Sequence, residues 1–452
     1  MERRKRGHSN LNQWTERYTA SLVPGVKPYY KQPLVLMRGN GCHIEDDQGN
    51  TYLDFFGGVL TISVGHAHPI ITKAVIEQIQ DIVHTSTYYI SPSMVKLAER
   101  MGSITPDGLN RVFFTNSGTE ANETAIAMAQ VATQRQEVVA LRYSYSGRSH
   151  LAMGLTGQAP WKMGIGGLGV PVRHAHNAYC YRCPFGKEPR TCGLECAKDF
   201  EEFFKTSTTG RPAAYIAEPI QGVGGFITPP NAFLYETVRT ARRYGALFID
   251  DEVQTGFGRT GKRFGIEHAG VTPDIMTFAK GLANGFPIGA TITRDEVAGA
   301  YDGPTFSTFG GDPPAMRAAL ATLDVIDQED LTTRSADLGA VLRQGLDELS
   351  DRFPMMGDVR GKGLMQGIEF VKDKKEPASD LASEFLEGTR AHGLLVGMGG
   401  LLANTIRIAP PMTVTRTEIF QALEAIMDTL MQMKINHPEL SHLRPTRVHL
   451  PE

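Results

Sequence analysis

Short runs of consecutive apolar residues recur along the first two-thirds of the chain, and each ends in a polar or glycine-rich turn. They lie at 111–115, 138–141, 213–217, 246–249, 275–278 and 288–292. Runs this short, without alternation, predict strands buried on both faces. Helical stretches separate them; residues 120–133, rich in Ala, Glu, Met and Gln, read as a helix. Strands alternating with helices predict an α/β fold with a mainly parallel sheet, whose ligands gather at the carboxyl ends of the strands. Beyond about residue 320 the texture changes. Amphipathic stretches at 314–327, 333–351 and 418–433 flank short strands at 364–371 and 405–409, as in a smaller α+β domain. Residues 155–200 read as a long irregular excursion.

Composition narrows the class. A chain of 452 residues suits one large and one smaller domain. Hydrophobic content of 41%, charged content of 21% and a net charge of −3 are ordinary for a globular protein. They point to neither a nucleic-acid nor a membrane partner. The basic start, Met1 to Arg6, is followed by no apolar core, so it reads as a solvated tail and not a secretory signal. No apolar stretch is long enough to span a bilayer, and a cytoplasmic enzyme is expected. Of the five cysteines, Cys180, Cys183, Cys192 and Cys196 fall within one short stretch. Two close pairs suit a structural zinc, reduced thiols pinning a surface excursion, or two labile disulfides.

Three segments carry candidate chemistry. Lys280 stands at the far end of the apolar run 275–278 and is followed at once by a glycine-rich turn. A lysine so placed loses hydration, points into a cleft, and is easier to deprotonate and to condense with a carbonyl; the bland reading is a lysine snorkelling at a strand end. Residues Asn116-Ser117-Gly118-Thr119-Glu120 follow a strand and open a helix, a backbone anion site or a plain N-cap. The segment Asp250-Asp251-Glu252-Val253-Gln254-Thr255-Gly256 puts a carboxylate at the end of another apolar strand. A buried carboxylate needs a cationic partner: a protonated pyridine nitrogen, or Arg259.

Together these segments resemble the class III (ω-amino acid type) aminotransferases, over roughly residues 35–435. The resemblance rests on Gly65-His66-Ala67-His68-Pro69, 116–123, Glu218-Pro219-Ile220-Gln221, 251–261, 274–281, Phe306-Ser307-Thr308-Phe309-Gly310-Gly311 and Arg407-Ile408-Ala409-Pro410-Pro411, which occur in the family's order. It implies the fold type I of pyridoxal-phosphate enzymes: a large domain with a mostly parallel seven-stranded sheet (61–320) and a smaller α+β domain (321–452), to which an N-terminal segment (1–60) contributes. It implies a homodimer or a dimer of dimers and the cofactor pyridoxal 5′-phosphate. Lys280 would link to the cofactor and shuttle the proton, and Asp251 would bind the pyridine nitrogen. Ser117, Gly118 and Thr119 would hold the phosphate, reached also by Thr308 from the partner subunit. Tyr145 and Val253 would cover the two ring faces, Gln254 would lie near the phenolic oxygen and Glu218 would orient the network. Arg407 would receive a substrate carboxylate.

Departures from the family pattern sharpen the expected activity. Ser146 stands where histidine is frequent and Asp312 where asparagine is. Val223 occupies a place where relatives that use glutamate often carry an acid that closes on the arginine. An uncapped Arg407 suits pyruvate or glyoxylate as acceptor, with alanine, β-alanine, 3-aminoisobutyrate or 4-aminobutyrate as donor. The stretch 179–186 also looks like the excursion of alanine–glyoxylate aminotransferase type 2 relatives. The alternatives are an ω-amino acid:2-oxoglutarate aminotransferase, or an aminomutase or phospho-lyase on the same fold.

Overall fold

The computed structural model describes residues 11–165 and 169–446; the basic tail lies outside them. Among the described residues the central sheet has seven strands. Their order is Arg111–Thr115, Gly289–Thr293, Ile275–Phe278, Leu247–Asp251, Ala214–Ala217, Val138–Leu141 and Val172–Ala175. All are parallel except Gly289–Thr293, which runs antiparallel to both neighbours. The central strands are buried along their length, as unbroken apolar runs require.

Alternation along the strands divides the core. Ile216, Ile249 and Ile275 pack with Ile126 and Ala129 of the helix Gly118–Thr133. Tyr215, Phe248, Met276 and Phe278 face the other side, toward the larger core. Asp251 falls on the Ile249 face and Asp250 on the Phe248 face, because successive side chains leave a strand in opposite directions. The helix Gly118–Thr133 begins two residues before the expected start, since the Ser117 hydroxyl accepts the Glu120 N–H and caps it.

The C-terminal part forms an antiparallel sheet of Met356–Lys362, Met365–Phe370, Thr405–Ile408 and Gly397–Gly399. A capping box joining Thr415 and Glu418 starts the helix Arg416–Asn436. The N-terminal strands Leu36–Asn40, His43–Asp46 and Thr51–Asp54 form a further sheet, which Leu394–Leu395 joins in parallel. The strands between residues 36 and 54 are thereby stitched to the chain's last third. The helix Pro313–Gln328 is continuous through residue 320 and packs on the helices Pro69–Asp81 and Pro92–Ile104.

The expectation of irregular structure over 155–200 needs correction. Val172–Ala175 is the edge strand of the main sheet, and the helix Glu195–Ser207 starts before the stretch ends. The strand's sequence, Val-Arg-His-Ala, is too polar to read as a buried run, and at the sheet edge only Ala175 is buried while Arg173 is exposed. The part with the cysteines is anchored through charge. Tyr179 and Arg182 both donate to Glu369, which also receives Arg360 at 2.6 Å; Arg360 pairs with Asp358 at 2.8 Å as well. Arg360 Nε then donates to the Gly225 carbonyl at 3.0 Å and reaches the loop beside the cleft described next.

Candidate active site

The carboxyl ends of three parallel strands and the start of one helix converge at one place. Ala279 continues the strand Ile275–Phe278 in extended form, and Lys280 then turns into the left-handed region at φ +43°. That conformation costs a residue with a Cβ about 1–2 kcal/mol, and it ends the strand with the side chain turned away from the sheet. Asn284 fixes the turn: its Oδ1 accepts the Val64 N–H at 3.0 Å and its Nδ2 donates to the Gly65 carbonyl at 2.9 Å. The same contacts hold the histidine turn, where His66 meets Asp54 at 2.8 Å.

Protein surrounds the Lys280 amine, although its side chain keeps some solvent access. Burial pushes its pKa down, while the charges of Asp251 and Glu218 pull it back up. Burial pushes Asp251 upward; the Asn122 amide at 2.8 Å and the Val253 N–H at 3.1 Å oppose this by donating to its two oxygens. Glu218 accepts the N–H groups of Tyr145 at 2.9 Å and Gly222 at 2.8 Å. Burial, followed by the Asp251 charge, raises its pKa to about 8. The bland partner for Asp251 is ruled out by geometry: Arg259 is buried and donates to the carbonyls of Leu364 and Pro410.

The helix start lies against the same cleft. A Cβ on Gly118 would stand 3.0 Å from a Val253 methyl, and one on Gly147 would stand 2.2 Å from Thr119 Oγ1. The absence of those side chains lets the Tyr145 turn, the helix N-terminus and the Val253 turn meet. Free N–H groups at that N-terminus favour an anion such as a phosphate. Tyr145 is half-buried and its ring meets Trp161 edge-on at 5.3 Å between centroids. Gln254 lies over Gly222, where a Cβ would come 2.3 Å from its amide, and its Oε1 is buried with no protein partner.

Arg407 closes the site from the small sheet. It is 6% exposed, its guanidinium lies 4.9 Å from the Phe56 ring centroid, and its Nη2 donates to the Met398 carbonyl at 3.1 Å. Nε and Nη1 are buried without protein partners. Tyr29 stacks on Phe56 at 5.8 Å and donates its hydroxyl to the same Met398 carbonyl at 2.7 Å.

The donor set fits pyridoxal phosphate: an amine of lowered basicity, a buried carboxylate, a helix start free to take a phosphate, an aromatic ring and an orphaned amide oxygen. Thr308 is exposed, on a stretch whose Phe306 and Phe309 are also exposed. The zinc expectation is not supported. Cys180, Cys183, Cys192 and Cys196 do line one small cavity, but among the described residues no group of three or more His, Cys, Asp or Glu side chains is arranged to hold a metal. Burial first, and repulsion between the clustered thiols second, push Cys180 and Cys196 up to about 12. The residues that sequence reasoning passed over are Asn122, Tyr29 and Phe56. Asn122 alone left a trace, as the polar member of the stripe Asn122, Ala125, Ile126, Ala129 facing the sheet.

Comparison with known proteins gives the family. The family model described as aminotransferase class-III matches residues 26–430. The alanine–glyoxylate aminotransferase 2 homolog 2 of Arabidopsis thaliana is 39% identical, over 91% of this chain and 86% of its own. A thermostable (S)-enantioselective ω-transaminase from Thermomicrobium roseum superposes with a TM-score of 0.87 at 33% identity, covering 94% of this chain and 99% of its own. An amine transaminase from an uncultivated Pseudomonas species, solved in its PLP-bound form, gives 0.86 at 31% identity, over 91% and 98% of the two chains. The chain belongs to the class III aminotransferases and is a pyridoxal-phosphate-dependent enzyme.

Proposed function

We propose that the enzyme moves an amino group from alanine or an ω-amino acid (β-alanine, 3-aminoisobutyrate or 4-aminobutyrate) to pyruvate or glyoxylate. The observation that carries this reading is Arg407: a buried guanidinium, held over Phe56, with Nε and Nη1 free of protein partners. A buried guanidinium with N–H groups to spare suits a carboxylate held by charge-assisted hydrogen bonds along one of its edges. The neighbouring loop carries half-buried Val223, whose carbonyl accepts the Gly400 N–H at 3.0 Å, and offers no acid at that position to close on the arginine. The Arabidopsis relative, named for alanine and glyoxylate, supports the same choice.

When bound, pyridoxal phosphate supplies the electron sink for charge developing at the amino-bearing carbon of the substrate. The protein's residues align, charge and desolvate. Lys280 Nζ would hold the cofactor between turnovers and would then take up and hand back the proton of the donor's amino-bearing carbon, a role that suits an amine of lowered basicity. Asp251 holds the ring nitrogen in its protonated form. Ser117, Gly118 and Thr119 would receive the phosphate at the helix start, Tyr145 and Val253 would cover the ring and Gln254 would serve its phenolic oxygen, while Glu218 ties the Tyr145 and Gly222 backbones together. We extend the reading to a homodimer in which Thr308 completes the partner's phosphate site; the exposed Tyr88, Phe306 and Phe309 beside it are in keeping with that contact. A panel of amino donors against pyruvate, glyoxylate and 2-oxoglutarate tests the substrate reading. Strong turnover with 2-oxoglutarate alone would transfer the assignment to an ω-amino acid:2-oxoglutarate aminotransferase.

A further inference from the structure

Asn122 is the unexplained polar residue of the site. It is 1% exposed, one turn into the helix Gly118–Thr133, on a face otherwise made of Ala125, Ile126 and Ala129. A buried amide in an apolar stripe is costly unless its groups are paired. Here they are. One Nδ2 hydrogen goes to Asp251 Oδ2 at 2.8 Å and the other to the Ser146 carbonyl at 3.0 Å, while Oδ1 accepts the Thr277 hydroxyl at 2.7 Å. Both groups facing Nδ2 are acceptors, so an inverted amide would set oxygen against oxygen. Thr277, fully buried and directly opposite Asp251 in the parallel register, holds the amide the right way round.

We propose that Asn122, locked by Thr277, is a positioning residue that holds the Asp251 carboxylate as an oriented anion toward the cofactor's ring nitrogen. The inference rests on the reading that Asp251 faces that nitrogen. The Asp251 carboxylate has one protein donor on each oxygen, Asn122 on Oδ2 and the Val253 N–H on Oδ1. Burial favours proton uptake by Asp251, with the Glu218 carboxyl beside it, and apart from its two hydrogen-bond donors only the Lys280 charge opposes this. Losing one of two donors in such a site makes the neutral acid the cheaper state. A neutral Asp251 no longer stabilises a protonated ring nitrogen. Asn122 therefore acts through Asp251, since its amide groups are all spent on Asp251, Ser146 and Thr277.

The test uses holoenzyme reconstituted with pyridoxal phosphate carrying nitrogen-15 in the ring. The nitrogen's chemical shift reports its protonation directly, which a merely structural role would not move. Asn122→Leu keeps the volume and excludes water; Asn122→Ala admits water; Thr277→Val cuts the far end of the chain. The expected result is a protonated nitrogen in the native enzyme, an unprotonated one in Asn122→Leu, and smaller shifts in the same direction for Asn122→Ala and Thr277→Val. Equilibrium dialysis should show the cofactor held at least about tenfold more weakly by Asn122→Leu, as expected for loss of a hydrogen bond to a charged group. Asp251→Ala is the control. If it loses protonation while all three other variants keep it, the role of Asn122 is overturned. If Asp251→Ala also keeps it, the reading of Asp251 fails first. Melting of each apo form establishes that the variants fold.

Discussion

Replacing Arg407 by alanine removes two buried N–H donors, Nε and Nη1, that no protein group uses. A hydrogen bond to a charged group contributes about 1.5–3 kcal/mol. Two such bonds to one carboxylate are not additive, so about 3 kcal/mol is a sober total, equivalent to a roughly 100-fold loss in kcat/KM. The loss should be confined to substrates that carry the carboxylate. The assay is steady-state transamination with one donor and two acceptors, pyruvate and benzaldehyde, the second lacking the charged group. Pyruvate should lose about 100-fold and benzaldehyde no more than a few-fold, because Phe56 and Phe226 still form the apolar wall on which the guanidinium rested. Arg407→Lys should recover little, since a point charge cannot reproduce the planar fork. Equal losses with both acceptors would mean that Arg407 only supports the fold. No loss with either would mean that the carboxylate binds elsewhere.

Other outcomes follow from single groups. Lys280→Ala should lower turnover by at least about 10³-fold, within the range for general acid–base catalysis, while equilibrium dialysis still finds weak cofactor binding; near-normal turnover would refute its role. Asp250 is fully buried, neither of its oxygens receives a protein hydrogen bond, and the neighbouring Glu252 already accepts from Thr255 and from the Ile266 N–H at 2.8 Å. Burial and the Glu252 charge hold its pKa well above the ordinary 3.8, so the folded state keeps a proton that the unfolded chain releases. Stability from this group is therefore present at low pH and lost as pH rises above 3.8. Asp250→Asn should melt higher than the native protein at pH 8, with the difference shrinking toward pH 4; a difference independent of pH would sink the assignment. Gly222→Ala would place a methyl 2.3 Å from the Gln254 amide and should cost about 1–3 kcal/mol of stability by overpacking, read as a lower melting temperature.

The local chemistry of this protein was written in its sequence. Unbroken apolar runs located six of the seven central strands to within a residue or two, because a strand covered on both faces has no polar side to disguise it. The turns that follow those runs named Lys280, Asp251, Ser117 and Thr119, since a strand end facing a cleft is where a charged or hydroxyl residue has a reason to interrupt apolar chain. Only the tertiary structure decided what lies between distant segments. Val172–Ala175 lies at the sheet edge, where Arg173 is exposed and only Ala175 is buried, so its pattern carries no apolar run. The reversed direction of Gly289–Thr293 leaves no local mark, because both directions need the same residues. Tyr29 and Phe56 come from the other end of the chain to meet Arg407 and its strand neighbour Met398. Asn122 gains its meaning from Asp251 and Thr277, which are more than a hundred residues away in sequence. Periodicity records which face of an element is dry; which polar group waits on the other side of that dry contact is fixed only when the elements pack.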